Sequence, residues 1–294
     1  MKRLTQHMGQ YELLEQIGRG GSSEVYLAND PVAHRQVVIK LLREELANDA
    51  GVVIDFIQEA STMSVLRHPH ICQVYCVGEQ DGWYYIAMER LTGQTLAQRI
   101  EERGPLPESL VLQIGLDIVS ALAAALQLRK IHGDIKPANI FITETGNAKV
   151  LDFGLSRLTS VGHWSGDGVL GSPHYMSPER VQHQTETFSS DMYSLGATLF
   201  HALTGQPPFE AGTLEDVALK RVHEPPPLVR ALRTELAEET EQVVNTLLKK
   251  NPNLRPHDYN QLTDLLQQAL NVTRARQPRT TNPLQWFNRS RTPS

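Results

Sequence analysis

The hydrophobic pattern changes period at about residue 90, and few folds accommodate that change. Before it, apolar residues come in short strand-like runs broken by glycine and acidic turns. The runs are Tyr11 to Ile17, Glu24 to Ala28, Gln36 to Lys40, Ile71 to Val77 and Trp83 to Met88. A single helical stretch, Asp55 to Leu66, interrupts them, with Phe56, Ile57, Met63 and Leu66 at helical spacing. From about residue 94 the period becomes mostly helical. Glu108 to Arg129 sets Leu110, Ile114, Ile118, Leu122 and Leu126 four apart behind Pro107. Asp191 to Leu203, Leu214 to Arg221, Ala237 to Lys250 and His257 to Leu270 read as further helices. The expected fold class is therefore α+β and bilobal, with a five-stranded antiparallel sheet plus one helix first and a mainly helical lobe second.

The chemistry-bearing residues lie where the second half briefly stops being helical. His132-Gly133-Asp134-Ile135-Lys136-Pro137-Ala138-Asn139 precedes two short strands, Ile140 to Ile142 and Ala148 to Leu151, and Asp152-Phe153-Gly154 follows them. Two carboxylates, a lysine and an asparagine in this window could bring a hydroxyl nucleophile and metal-bound phosphates into one pocket. In the first half, Gly18-Arg19-Gly20-Gly21-Ser22-Ser23 joins two strands by a turn whose small residues leave backbone amides open to phosphates. On its own that turn also fits an ordinary glycine-rich hairpin. Lys40 and Glu59, each an unremarkable surface charge alone, could pair in a cleft and hold the lysine toward phosphate oxygens.

Composition narrows the remaining classes. A net charge of -5 gives no global nucleic-acid signature. Two cysteines, Cys72 and Cys76, make neither a disulfide scaffold nor a thiolate metal site, and a reducing, cytoplasmic setting is expected. Val119 to Leu128 is too short to cross a bilayer, and no signal-peptide core follows Lys2 and Arg3. Residues 155–178 lack periodicity, and a connection that long calls for a functional explanation. After Leu270 the chain carries five arginines and no acidic residue, which reads as a basic, proline-containing tail or linker.

Taken together, the ordered motifs resemble the eukaryotic-like, Hanks-type serine/threonine protein kinases of bacteria. The resemblance runs from about Tyr11 to Leu270. It implies a lead-in at 1–10, an N-lobe at 11–89, a C-lobe at 90–270 that opens with the hinge, and the tail at 271–294. It also implies ATP-dependent transfer of the γ-phosphoryl group to serine or threonine hydroxyls of proteins, the enzyme itself included. The alternatives are a pseudokinase or docking module that scaffolds a partner, and a small-molecule kinase.

The residue roles that follow from the resemblance are specific. Ile17, Gly18, Gly20 and Gly21 would cover the nucleotide. Val25 and Val38 would lie above the adenine and Phe141 below it. Met88 would set the depth of the pocket, and the hinge from Glu89 to Leu91 would meet the ring edge. Lys40, oriented by Glu59, would contact the phosphates. Asp134 would accept or orient the proton of the acceptor hydroxyl, and Lys136 would offset charge on the transferred group. Asn139 and Asp152 would hold Mg2+, with Mn2+ as an alternative. Ser172 would face the acceptor, Glu179 and Arg255 would form a buried ion pair, and Asp191 would anchor the loop around Asp134. Thr159, Ser160 and Ser165 are candidate phosphosites.

Partners expected on the same basis are protein substrates and a second copy for trans-autophosphorylation. No nucleic acid is expected, and a membrane only if the chain is a piece of a longer protein. Three positions depart from the family pattern. Val38 is bulkier than the alanine common at its position and should narrow the space over the adenine. Ser23 stands where a third glycine is usual. Gly133 stands where many members carry an arginine that pairs with an activation-segment phosphate, so basal activity is expected not to depend on that phosphate.

Overall fold

The computed structural model describes residues 6–152 and 173–276, including every side chain in those ranges except Glu59 and Thr62. The described residues divide into two units. Residues 6–91 with Asp152 form the first, and residues 92–151 with 173–276 form the second. The sequence-based boundary at Glu89 thus moves to Leu91, and the chain re-enters the first unit at Asp152.

The first unit is an antiparallel sheet with one helix. Its strands are β1 (His7–Met8), β2 (Tyr11–Arg19), β3 (Ser23–Asp30), β4 (Arg35–Leu42), β5 (Val74–Gln80) and β6 (Trp83–Glu89). Their order is β1-β2-β3-β4-β6-β5, which makes six strands where the sequence suggested five. The added strand lies in the expected lead-in. Gly9 turns the chain at φ +60°, so that His7 and Met8 pair with Glu12 and Tyr11 and Met8 is fully buried. The β5–β6 hairpin turns at Asp81 and Gly82, both at positive φ, as a two-residue hairpin requires.

Strand alternation decides the faces of this sheet. Val37, Ile39 and Leu41 of β4 join Met8, Tyr11, Leu13, Ala28, Tyr85 and Ala87 in a core on one side. Leu42 and Ile86 point the other way, where Val53, Phe56 and Ala60 of α1 (Ala50–Ser64) cover them. That helix begins five residues earlier than its apolar pattern suggested. The Asp49 carboxylate caps it by accepting the N–H groups of Gly51 and Val52.

The second unit opens with β7 (Gly93–Thr95), a strand the sequence pattern did not indicate, and β7 completes a three-stranded sheet with β8 (Ile140–Thr143) and β9 (Ala148–Val150). Around it lie α2 (Leu96–Arg103), α3 (Glu108–Gln127), α4 (Pro178–Val181), α5 (Phe188–Thr204), α6 (Leu214–His223), α7 (Val229–Leu232), α8 (Glu238–Leu247) and α9 (Tyr259–Arg276). The last helix runs six residues past Leu270, so the expected tail boundary shifts to Arg276. Among the described residues α3 alone is long and apolar enough to cross a membrane, contrary to the shorter stretch judged from sequence. Its Ile114, Ile118 and Leu122 are nonetheless buried, and it packs against α5 and α9. The Asp117 carboxylate, also buried, accepts the Ala148 N–H at 2.9 Å and so ties α3 to β9.

Candidate active site

In the first unit, register alone assembles the nucleotide-binding candidates. Val25 lies opposite Lys40 across β3 and β4, and Val38 lies opposite Met88 across β4 and β6. Directly opposed residues share a face, as do positions two apart, so Val25, Val38, Lys40 and Met88 all stand on the side that α1 covers. Gly18 is the partner of Val25 at a bulge in β2. The glycine turn itself is anchored. Gly20 donates its N–H to the Ser23 carbonyl at 2.7 Å, and Arg43 donates to the Gly21 carbonyl at 3.0 Å. A Cβ added at Gly21 would meet nothing within 4 Å, and Ile17 is more than half exposed.

Lys40 is buried, and its ammonium pairs with Asp152 Oδ1 at 2.7 Å. The expected partner was Glu59, whose backbone belongs to α1 but whose side chain lies outside the described residues. Asp152 takes φ +49°, a left-handed conformation that a non-glycine residue rarely adopts. Glu89, expected at the hinge, makes its backbone contacts to the segment just before β5. Its N–H goes to the Gln73 carbonyl at 2.8 Å, and its own carbonyl receives the Cys72 thiol at 3.7 Å. Leu91 closes the unit two residues later.

In the second unit the loop from His132 to Asn139 is held by buried groups. Asp191, four-fifths of a turn into α5 and 1% exposed, accepts the N–H groups of His132 and Gly133, each at 2.7 Å. Burial pushes its carboxyl up, against the opposing pull of His132, the two amide donors and the Arg180 charge. His132 is fully buried. Its Nδ1 accepts the Asp134 N–H at 3.1 Å, so Nε2 is the nitrogen that donates to the Leu151 carbonyl at 2.9 Å. Leu151 N–H then bonds the Asn139 carbonyl at 2.9 Å, which locks the loop to the end of β9.

The reactive side chains sit on this frame. Lys136 Nζ lies 2.7 Å from Asp134 Oδ2, and Asn139 Nδ2 donates to the same oxygen and to the Asp134 carbonyl, both at 2.9 Å. Both cationic or amide contacts therefore fall on one carboxylate oxygen. Phe141, in β8 opposite Lys149 and Thr95, is half-buried. Glu179 and Arg255 form a two-pronged ion pair at 2.7 and 2.9 Å. Ser172, Thr159, Ser160, Ser165, Phe153 and Gly154 lie outside the described residues.

Three features of this site have no motif in the sequence. Arg221, fully buried in α6, donates to the carbonyls of His174 and Met176, the latter at 2.8 Å. The Tyr175 hydroxyl meets His201 Nδ1 at 2.6 Å with the rings stacked. Burial drives the His201 imidazole below its usual range, which keeps the ring neutral as the partner of a phenol. A cavity of about 600 Å³ opens beside Lys136, lined in part by Ile100, Pro137, Ala138, Tyr175 and His201. Single polar residues in helices look alike in sequence, so only the packing reveals them.

A sheet-and-helix unit carrying a glycine turn and a buried lysine, with a second, helical unit that fixes an aspartate, a lysine and an asparagine on one short loop, is the construction of a protein kinase domain. The protein kinase domain model matches residues 11–271, and the chain belongs to that family. Among its relatives, the serine/threonine-protein kinase PrkC of Bacillus subtilis is 41% identical over 245 residues, covering 83% of this chain and 38% of that protein. The serine/threonine-protein kinase PknB of Mycobacterium tuberculosis is 38% identical over 255 residues, covering 83% of this chain and 40% of that protein. The crystal structure of the Mycobacterium tuberculosis PknI kinase domain matches with a TM-score of 0.73 at 26% identity, over 92% of this chain and all of that one. The chain thus spans about two fifths of the length of the curated relatives it matches.

Proposed function

We propose that this chain transfers the γ-phosphoryl group of ATP to serine or threonine hydroxyls of proteins, itself included. The observation that carries the reading is the Asp134 carboxylate, with Lys136 and Asn139 both on Oδ2. Oδ1 is then the oxygen that takes the acceptor hydroxyl and orients its proton. Lys136, already beside that carboxylate, offsets charge on the group in transfer. Lys40 contacts the nucleotide phosphates from the face it shares with Val25, Val38 and Met88, and that contact requires it to leave or share Asp152. A polypeptide acceptor is favoured over a small molecule by the relatives, which are named serine/threonine-protein kinases, and the cavity beside Lys136 has room for a side chain flanking the phosphorylated residue.

The oxygens of Asn139 and Asp152 are of the kind a hard divalent cation takes. Asn139 turns its amide nitrogen to Asp134, which leaves its carbonyl oxygen as a donor, and the Asp152 carboxylate is one-third exposed. These two residues would hold Mg2+, or Mn2+ in its stead, and the ion would neutralise phosphate charge. We further place the enzyme in the reducing cytoplasm, a reading that fits two cysteines, Cys72 and Cys76, outside any disulfide. We propose two copies meeting for trans-autophosphorylation, with Thr159, Ser160 or Ser165 as acceptors and basal activity independent of their phosphates. A membrane enters only through a longer parent protein. The simultaneous presence of Lys40, Asp134, Asn139 and Asp152 weighs against a docking-only role.

The test is incubation with labelled ATP and either metal, followed by mass spectrometry of the chain and of a generic protein acceptor. Phosphoserine or phosphothreonine is expected in both. Asp134→Asn should lower the rate by about 100-fold or more, the scale of a lost general base. Transfer near the wild-type rate in that variant would remove Asp134 from the role.

A further inference from the structure

The peptide group that carries Asp134 into place has two polar ends, the Gly133 carbonyl and the Asp134 N–H, and they move together because the unit is planar. His132 Nδ1 holds the N–H end at 3.1 Å. The carbonyl end is held by Arg180, whose Nη1 donates to the Gly133 oxygen. Arg180 belongs to α4, directly after Glu179, and comes to the loop from 47 residues away. Its guanidinium is in turn braced by Glu186 Oε2 at 3.6 Å and is only 14% exposed. On the preceding peptide the Gly133 N–H goes to Asp191. Gly133 is thus clamped on both sides, by an anion at its N–H and a cation at its carbonyl.

The clamp matters because of the residue it holds. Gly133 sits at φ +75°, and glycine has open to it the widest range of backbone conformations of any residue. Nothing in its own side chain restrains the next peptide, so the partners of its backbone must do so. An ordinary surface arginine would answer only Glu186. This one also reaches a main-chain oxygen one peptide from the catalytic carboxylate.

We propose that Arg180 is a positioning residue for Asp134, fixing the Gly133–Asp134 peptide plane from α4 and so supplying from another element a cation that position 133 lacks. The proposal rests on the reading of Asp134 as the group that orients the acceptor hydroxyl.

The full chain carrying Arg180→Ala or Arg180→Lys is compared with wild type in steady-state transfer and in amide hydrogen exchange of the loop around residues 132–139. A charge-assisted hydrogen bond is worth about a 10- to 100-fold effect, so Arg180→Ala should lower kcat by about that factor. KM for ATP should stay within about twofold, because the lysine that contacts phosphate is elsewhere. Loop amides should exchange faster in Arg180→Ala, and Arg180→Lys should regain part of both losses, since it keeps a charged donor but not the planar guanidinium that reaches Gly133 and Glu186 from one nitrogen. Unchanged kcat, a loss confined to KM for ATP, or unaltered loop exchange in Arg180→Ala would each overturn the proposal. If Arg180→Ala does not fold, Arg180→Met takes its place, keeping the apolar stem without the donor: unchanged kcat or unaltered loop exchange in that variant would overturn the proposal. A wild-type chain without transfer activity would refute the functional reading, while the exchange measurement would still report on the clamp.

Discussion

Removing the Glu179 carboxylate should be among the most destabilising single changes available in the second unit. The Arg255 side chain has no exposed area and that of Glu179 has 4%, so neither charge has water to fall back on. Arg255 spends all five of its donors. Nη1 serves Glu179 Oε1 and the Ser189 carbonyl, Nη2 serves Glu179 Oε2 and the Lys250 carbonyl, and Nε serves the Lys249 carbonyl. Ser190 Oγ donates to Glu179 Oε1 at 2.7 Å. Glu179→Ala would leave a buried guanidinium with two orphaned donors, and breaking such a pair from one side costs about 3–5 kcal/mol. For a domain of this size that lowers Tm by about 10 °C. Urea denaturation followed by circular dichroism measures the loss directly. A double change to Leu at 179 and Met at 255 should cost less than Glu179→Ala, because it leaves no unpaired charge.

The same pair sets an acid limit. Burial raises the Glu179 carboxyl, but Arg255 and Ser190 pull harder and the net effect holds it below its ordinary 4.5. A carboxyl depressed in the folded state binds its proton more readily when unfolded. Its contribution is therefore complete above 4.5 and is lost as pH falls through the lower folded value. Glu179→Gln, which cannot titrate, should lack this component, so the stability difference from wild type should narrow on acidification. A loss under about 1 kcal/mol in Glu179→Ala, or a pH-independent difference for Glu179→Gln, would refute the account.

Two other substitutions test the packing and the charge beside this pair. A Cβ at Gly196 would lie 2.6 Å from Leu247 Cβ, where α5 meets α8, so Gly196→Ala should cost about 1–3 kcal/mol by overpacking; an unchanged urea midpoint would contradict that contact. Lys250 is pushed down to about 8 by burial, then by the charges of Arg221 and Arg255. A lysine lowered in the folded state carries its full penalty below about 8 and sheds it as pH rises toward the ordinary 10.5, so wild type should gain stability relative to Lys250→Met across that window. A difference that does not change with pH would show that Lys250 is not buried as a cation.

How much of this was legible in the sequence depends on whether the signal was local. Periodicity located the strands of the first unit and the long helices of the second, because burial on one face writes itself into spacings of two and of three to four. It missed β1, whose two residues carry no pattern of their own and pair only because Gly9 reverses the chain. It did locate α3, read from Glu108 to Arg129 as a buried helix and found from Glu108 to Gln127, because its apolar residues recur every four positions. The motif residues Asp134, Lys136 and Asn139 meet within one loop, and proximity in sequence made them readable. Lys40 with Asp152 required contact over more than a hundred positions, and there the expected partner was Glu59.

Arg180 marks the boundary of what sequence can carry. The absence of a cation at Gly133 was visible at once, and from it came the expectation that no activation-segment phosphate is needed. What replaces the missing charge was not visible, because the acceptor is a main-chain oxygen and any residue at 133 would present one. A glycine at that position does more than omit a side chain. It accepts φ +75° freely and gives up local control of the peptide before Asp134, so control must come from partners elsewhere. Asp191 and Arg180 are those partners, of opposite charge and on opposite ends of the residue. A loop restrained in this way stays ordered only while both helices keep their places. Its dependence on α4 is therefore a direct physical consequence of the glycine.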